Sequence, residues 1–148
     1  MSLLLHEIGH GIGTVLFSDN HAYIYLGSYE ESNKETFHVG RIHFHIQYAF
    51  NGWCEWGTGL SKGQRLIALL SRPLMSFIIM SGTVLILNVT PAGFGRKLLL
   101  GFADVNLFLL IFTILPFQLP QWLGERFSFP SDGLQILRLL KKEQPLEE

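Results

Sequence analysis

A mainly α-helical, polytopic membrane protein is the fold class the chain predicts, with about three transmembrane helices, a small β-strand region between the first and second, and a short C-terminal helix. Three observations predict it. The 148 residues are 48% hydrophobic and only 16% charged, richer in apolar and poorer in charged residues than a typical soluble domain. Apolar stretches run over 1–17, 66–89 and 98–117, while 41–48 switches to strict alternation, the period of a half-buried strand. The length suits a single domain. Its parts in order are the first apolar helix at 1–17, a β-rich loop at 20–60, helices at 66–89 and 98–117, a loop and short helix over 118–142, and a tail at 143–148. A net charge of −1 argues against a nucleic-acid partner.

The first helix carries His6-Glu7-Ile8-Gly9-His10. Histidines four apart on a helix share one face, about one turn apart, where both imidazoles can reach one metal ion. Zinc suits two imidazoles, and Glu7 beside them is placed to take a proton from water whose pKa the ion has lowered to about 7. The alternative is a helix whose histidines are ordinary packing residues. Two histidines do not close a tetrahedral site, so a third protein ligand must come from elsewhere. Glu7 is the only charged side chain among Leu3–Leu5, Ile8, Ile12, Val15, Leu16 and Phe17, so the helix is apolar all round. Gly9, Gly11 and Gly13 would each cost a water-exposed helix about 1 kcal/mol, whereas small residues let membrane helices approach closely. This places the site within a lipid bilayer. From Leu3 to Phe17 the helix spans about 22 Å, short of the roughly 30 Å hydrocarbon core. No basic stretch or small-residue cleavage site marks it as a cleavable signal peptide.

The second helix is expected from about Leu66 to Val89, with Pro73 tolerated in its first turn and Arg72 snorkelling to the interface. The third, Leu98 to Phe117, is long enough to span and carries Asp104 and Asn106, either site-facing or bonded to neighbouring helices. In the intervening region Arg41 to Tyr48 puts His43 and His45 on one strand face, which could hold a metal or simply face water. His21 to Leu26 reads as another strand and Thr36 to Val39 as part of a third, with turns at Gly27, Ser28, Ser32 and Asn33. Trp53, Cys54 and Trp56 follow in a glycine-containing loop, the tryptophans as interfacial anchors and the single cysteine as a small buried hydrophobe.

Beyond Leu115-Pro116 the third helix must break, and a loop with Pro120, Gly124 and Pro130 leads to Ser131-Asp132-Gly133 ahead of a short helix, Leu134 to Leu140. Asp132 is a candidate third ligand, although on the local sequence alone a helix N-cap is the commoner use of an aspartate in this position. Taken in order, the HExxH helix, the strands after it, the Pro73 helix, and the run from Asn106-Leu107 through Leu115-Pro116 to Asp132-Gly133 resemble the core of the site-2 protease family of intramembrane zinc metalloproteases over nearly the whole chain. The resemblance implies that His6, His10 and Asp132 ligate Zn2+, that Glu7 is the catalytic base, and that Asn106 and Thr113 line the substrate site. Thr113 stands where the family usually has asparagine, Arg72-Pro73 where it has Gly-Pro, and the interval from Pro116 to Asp132 is longer than usual.

The implied activity is hydrolysis of peptide bonds in or near transmembrane segments of membrane-protein substrates, which must unwind locally because a helix hides its carbonyls in its own hydrogen bonds. The strands at 21–26 and 41–48 are expected to pair with extended substrate. Lys34, Arg41, Lys62 and Arg65 outnumber Arg96 and Lys97, which favours a cytoplasmic first loop in a multi-pass protein of the plasma membrane if the source is bacterial. Two other readings stand beside the protease: a catalytically idle relative that binds partners, and a soluble zinc protease with a large core. Oligomeric state is not legible.

Overall fold

The computed structural model describes residues 1–27, 33–47, 51–118 and 130–141. Its elements in order are α1 (Ser2–Phe17), β1 (Ala22–Leu26), β2 (Phe37–Val39), β3 (Ile42–Ile46), β4 (Gly52–Trp56), α2 (Lys62–Val89), α3 (Phe94–Ile114) and α4 (Asp132–Leu140). Two of the helices, α2 and α3, are long and apolar enough to cross a membrane. The expectation of about three is corrected to two, because α1 has only 16 residues and reaches about 24 Å. Most of the apolar surface of the long pair is left uncovered: Leu85 and Val89 of α2 and Phe94 and Phe108 of α3 are all exposed.

Helix α1 is the hub, packed on α2 by one side and on the sheet by the other. Glycine makes the first contact possible. A Cβ at Gly9 would sit 2.7 Å from the Ser71 carbonyl oxygen and 2.9 Å from the Arg72 Cα, and one at Gly13 would strike the Ser71 side chain. Backbone cannot retreat as a flexible side chain can, so only glycine allows this approach. The contacts run antiparallel, from His6 beside Ser76 to Gln64 Nε2 donating to the Phe17 carbonyl at 2.8 Å. Arg41 caps the C-terminal end of α1 by donating to the Val15 and Ser18 carbonyls, and Arg96 does the same for α2 at Leu87 and Thr90. Both cations stand where the helix dipole is negative and carbonyls lack partners.

The sheet has the order β2-β3-β1-β4. β1 and β3 are parallel, and the outer pairs are antiparallel. Gly40, at φ +59°, makes the tight β2–β3 turn that a side chain would strain. Alternation sends Ala22, Ile24, Phe44 and Cys54 to one face, where they bury against Leu4, Ile8 and Val15 of α1. The strands expected from 21–26 and 41–48 are present as β1 and β3, and Thr36–Val39 as β2. Two expectations for this region are corrected. Gly52–Trp56 is a strand rather than a loop, because Trp53, Cys54 and Trp56 pair with β1 in register. β1 and β3 are also the two central strands, hydrogen-bonded on both sides, so neither has a free edge to offer a substrate. Ser28, Ser32, Tyr48, Pro120 and Gly124 lie outside the described residues.

Helix α2 starts earlier than expected, at Lys62. Ser61 and Gln64 form a reciprocal capping box, Ser61 Oγ accepting from the Gln64 N–H and Gln64 Oε1 from the Ser61 N–H. Pro73 therefore lies inside the helix and not in its first turn. There it removes the donor that the Leu69 carbonyl would receive and loosens that turn.

Candidate metal-binding site

His6, Glu7, His10 and Asp132 are all buried, at 0%, 0%, 3% and 2% exposure. Three come from one helix face and the fourth from the start of α4. A single stripe of α2 meets them, since Ala68, Arg72 and Ser76 recur every four residues and so share a face. His10 Nδ1 lies 2.7 Å from the Ala68 carbonyl oxygen. That oxygen only accepts, so Nδ1 carries a proton and Nε2 is the nitrogen turned to Asp132, 3.5 Å from its Oδ1. His6 Nδ1 lies 2.5 Å from Ser76 Oγ, and its Nε2 is buried without a hydrogen-bond partner among the described residues. Each ring is thus anchored through Nδ1, the outer-sphere arrangement that leaves Nε2 for a metal. Trp56 braces His10 edge-on at 4.9 Å between ring centres.

Asp132 is not the helix cap. Ser131 is: its hydroxyl accepts from the Leu134 N–H at 3.3 Å and donates to the Leu115 carbonyl at 2.6 Å. Relieved of capping, the Asp132 carboxylate turns inward to His10 and Arg72. The long interval after Pro116 is closed by a bridge between Gln118 and Pro130, and by the Ser131 N–H donating to the Phe117 carbonyl at 2.9 Å. These bonds return the chain to the end of α3 whatever the interval's length. Gly133 is required by that return, since a Cβ there would stand 1.9 Å from the Ile114 carbonyl oxygen. Gly133→Ala is therefore expected to push α4 off α3 and carry Asp132 away from His10, costing about 1–3 kcal/mol or more from overpacking. A thermal melt of the variant checks this; an unchanged melting temperature would refute the contact.

Arg72 was expected at an interface and is instead in the site. Its Nη2 donates to Glu7 Oε1, and its Nη1 lies 3.4 Å from both Asp132 oxygens. An ionisable residue inside an apolar helix is itself the signal that would have found it. Ser76, four residues on, follows from the same face. Gly52 of β4 was also missed; a Cβ there would fall 2.8 Å from Glu7 Cγ, so its bare backbone makes room for the glutamate. Glu7 Oε2 is buried and has no hydrogen-bond partner among the described residues.

Asn106 is fully buried and links α3 to α1 by donating to Ser2 Oγ at 3.2 Å and to the Phe102 carbonyl at 2.8 Å. Thr113 Oγ1 donates to the Leu109 carbonyl of its own helix at 2.7 Å. Cys54 lies in the core between the sheet and α1, where burial pushes its thiol well above the usual range and leaves it inert.

Two imidazoles and a carboxylate are donor types that suit zinc; His10 Nε2 and Asp132 Oδ1 are brought together at 3.5 Å, while His6 does not close a three-atom cluster with them. Three side-chain atoms of the site are buried without hydrogen-bond partners among the described residues, His6 Nε2, Glu7 Oε2 and Arg72 Nε; the two that can accept are the ones a metal or its water would satisfy, since buried polar atoms in proteins are nearly always satisfied. No protein-family model, curated protein or solved structure was found to match the chain.

Proposed function

We propose that this chain is a zinc-dependent intramembrane endopeptidase of the site-2 protease type, hydrolysing peptide bonds in or near transmembrane segments of membrane proteins. The observation that carries the reading is the burial of His6, Glu7, His10 and Asp132, with His10 Nε2 3.5 Å from Asp132 Oδ1 and both imidazoles anchored through Nδ1. His6, His10 and Asp132 would hold Zn2+, which when bound supplies a Lewis acid toward the scissile carbonyl and toward water. Glu7 Oε2 accepts the proton of the attacking water and passes it to the leaving amine. Arg72 holds the other Glu7 oxygen and so fixes which one is free. β4 is an edge strand whose Gly52 abuts Glu7, so an extended substrate paired along it would pass the base. The apolar flanks of α2 and α3 would face lipid, making the protein integral and multi-pass.

A second reading, an idle relative that binds membrane partners, is favoured by Arg72 itself, which neutralises both the base and the third ligand with a cation of the chain. Reconstitution with a panel of single-span reporter proteins separates the two. The protease should cut at least one reporter, stop when a zinc chelator is added, and resume when Zn2+ is returned. Cleavage indifferent to the chelator would refute the zinc mechanism, and a zinc-loaded chain that cuts none of the panel favours the idle relative.

A further inference from the structure

The face of the sheet turned away from α1 carries a second group of metal-ligating side chains that the proposed proteolysis does not use. His38 and His43 are directly opposed across the β2–β3 pair, their ring centres 5.4 Å apart. Glu35, in the segment that enters β2, bridges them: His38 Nδ1 donates to its Oε1 at 2.9 Å and His43 Nδ1 to its Oε2 at 3.1 Å. The ligand atoms of all three lie within 4.8 Å of one another. Behind them His43 Nε2 is 2.8 Å from His21 Nδ1, and Tyr23 stacks on the His43 ring at 4.8 Å.

We propose that Glu35, His38 and His43 form a second site for a divalent transition metal, independent of the HExxH site, with His21 positioning His43. Two imidazoles and one carboxylate suit zinc, nickel or copper and not magnesium or calcium, which prefer all-oxygen cages. Bonds of about 2.0–2.2 Å at tetrahedral angles put ligand atoms about 3.3 Å apart. The two glutamate–histidine distances, 2.9 Å to Oε1 and 3.1 Å to Oε2, are slightly shorter than that and run to different oxygens, so the Glu35 carboxylate has to turn to bring one oxygen to the ion. The remaining closure falls to the His38 ring, which is free to turn because its side chain is 62% exposed.

The protons also balance. In the metal-free chain both Nδ1–H groups point at Glu35 and hold its carboxyl below the usual carboxylate range. On binding, each neutral ring keeps one proton but carries it on Nε2, so that both Nδ1 lone pairs face the ion. Metal-free, the His21 Nδ1–H donates to His43 Nε2; on binding, His21 carries its proton on Nε2 instead and its Nδ1 accepts from the His43 Nε2–H, the outer-sphere bond that fixes the tautomer and orientation of a ligating histidine. A metal here would tie the three-residue edge strand β2 to β3 and to the segment before it.

The test titrates Zn2+ into the metal-stripped full-length chain against a chromophoric chelator. The parent should bind two ions. Glu35→Gln combined with His38→Ala should bind one, and His6→Ala combined with His10→Ala should still bind one. His38→Gln alone should weaken the second ion at least tenfold. Glu35 and His38 are partly or largely exposed, so these changes leave the core intact. If the Glu35–His38 variant binds as many ions as the parent, the second site is refuted. If the parent binds a single ion that the Glu35–His38 variant loses and the His6–His10 variant keeps, the second site stands and the zinc assignment of the membrane site falls.

Discussion

Replacing Glu7 with glutamine is expected to lower cleavage of a membrane-embedded reporter by about 100-fold or more, the scale of losing a general base. Glutamine keeps the shape and the oxygen that accepts from Arg72, so the contacts with Arg72 and Gly52 survive. What disappears is the basicity of the second oxygen, Oε2, which is buried and otherwise without a partner among the described residues. Zinc content should match the parent, since Glu7 is not among the three assigned ligands. The measurement is cleavage rate at equal zinc occupancy. A variant as fast as the parent would remove Glu7 from the mechanism and with it the proteolytic reading of the motif.

The second large effect concerns Arg72. In the metal-free chain its guanidinium is the counter-ion of two buried carboxylates, Glu7 and Asp132. Arg72→Leu keeps comparable bulk but leaves both acids buried without a cation, and breaking a buried pair in this way costs about 3–5 kcal/mol. For a chain of this size that is a fall of roughly 6–20 °C in melting temperature. Zn2+ should restore much of it, because an ion held by His6, His10 and Asp132 returns positive charge to the same place and stabilises the folded state by mass action. The diagnostic quantity is the rise in melting temperature on adding zinc, which should be larger in the variant than in the parent. An equal rise in both would mean that arginine and metal do not serve the same carboxylates, and an unchanged metal-free melt would mean that the ion pairs contribute nothing.

Arg72 also shows why one glycine and one arginine in this chain carry different weight from their neighbours. Gly9 fixes how near α1 comes to the Ser71–Arg72 backbone, and that distance decides whether the guanidinium reaches Glu7 or stops short of it. The loosened turn before Pro73 lies in the same stretch and contains the Ala68 carbonyl that anchors His10. Arg72, the departure from the Gly-Pro pattern of the resembling family, therefore stands against Glu7 and Asp132.

By itself the sequence determined whatever depends on spacing within one element. Residues 6, 7 and 10 share a buried face because a helix turns 3.6 residues per turn, and 41–48 alternates because a strand repeats every two. The Asp-Gly pair at 132–133 is equally local and legible, whereas the S-x-x-Q box at Ser61, just as local, was missed and the helix start expected four residues late. The tertiary structure decided whatever depends on partners far along the chain. Arg72 meets Glu7 across 65 residues and Asp132 across 60, and no local period records which of several faces a cation will meet. Whether Asp132 caps or turns inward depended on Ser131 bonding Leu115 and Phe117 first. That Gly52–Trp56 is a strand, and the one beside Glu7, depended on β1 having an unpaired edge to offer it, since a strand's backbone groups are satisfied only by a neighbour that the fold must bring to it.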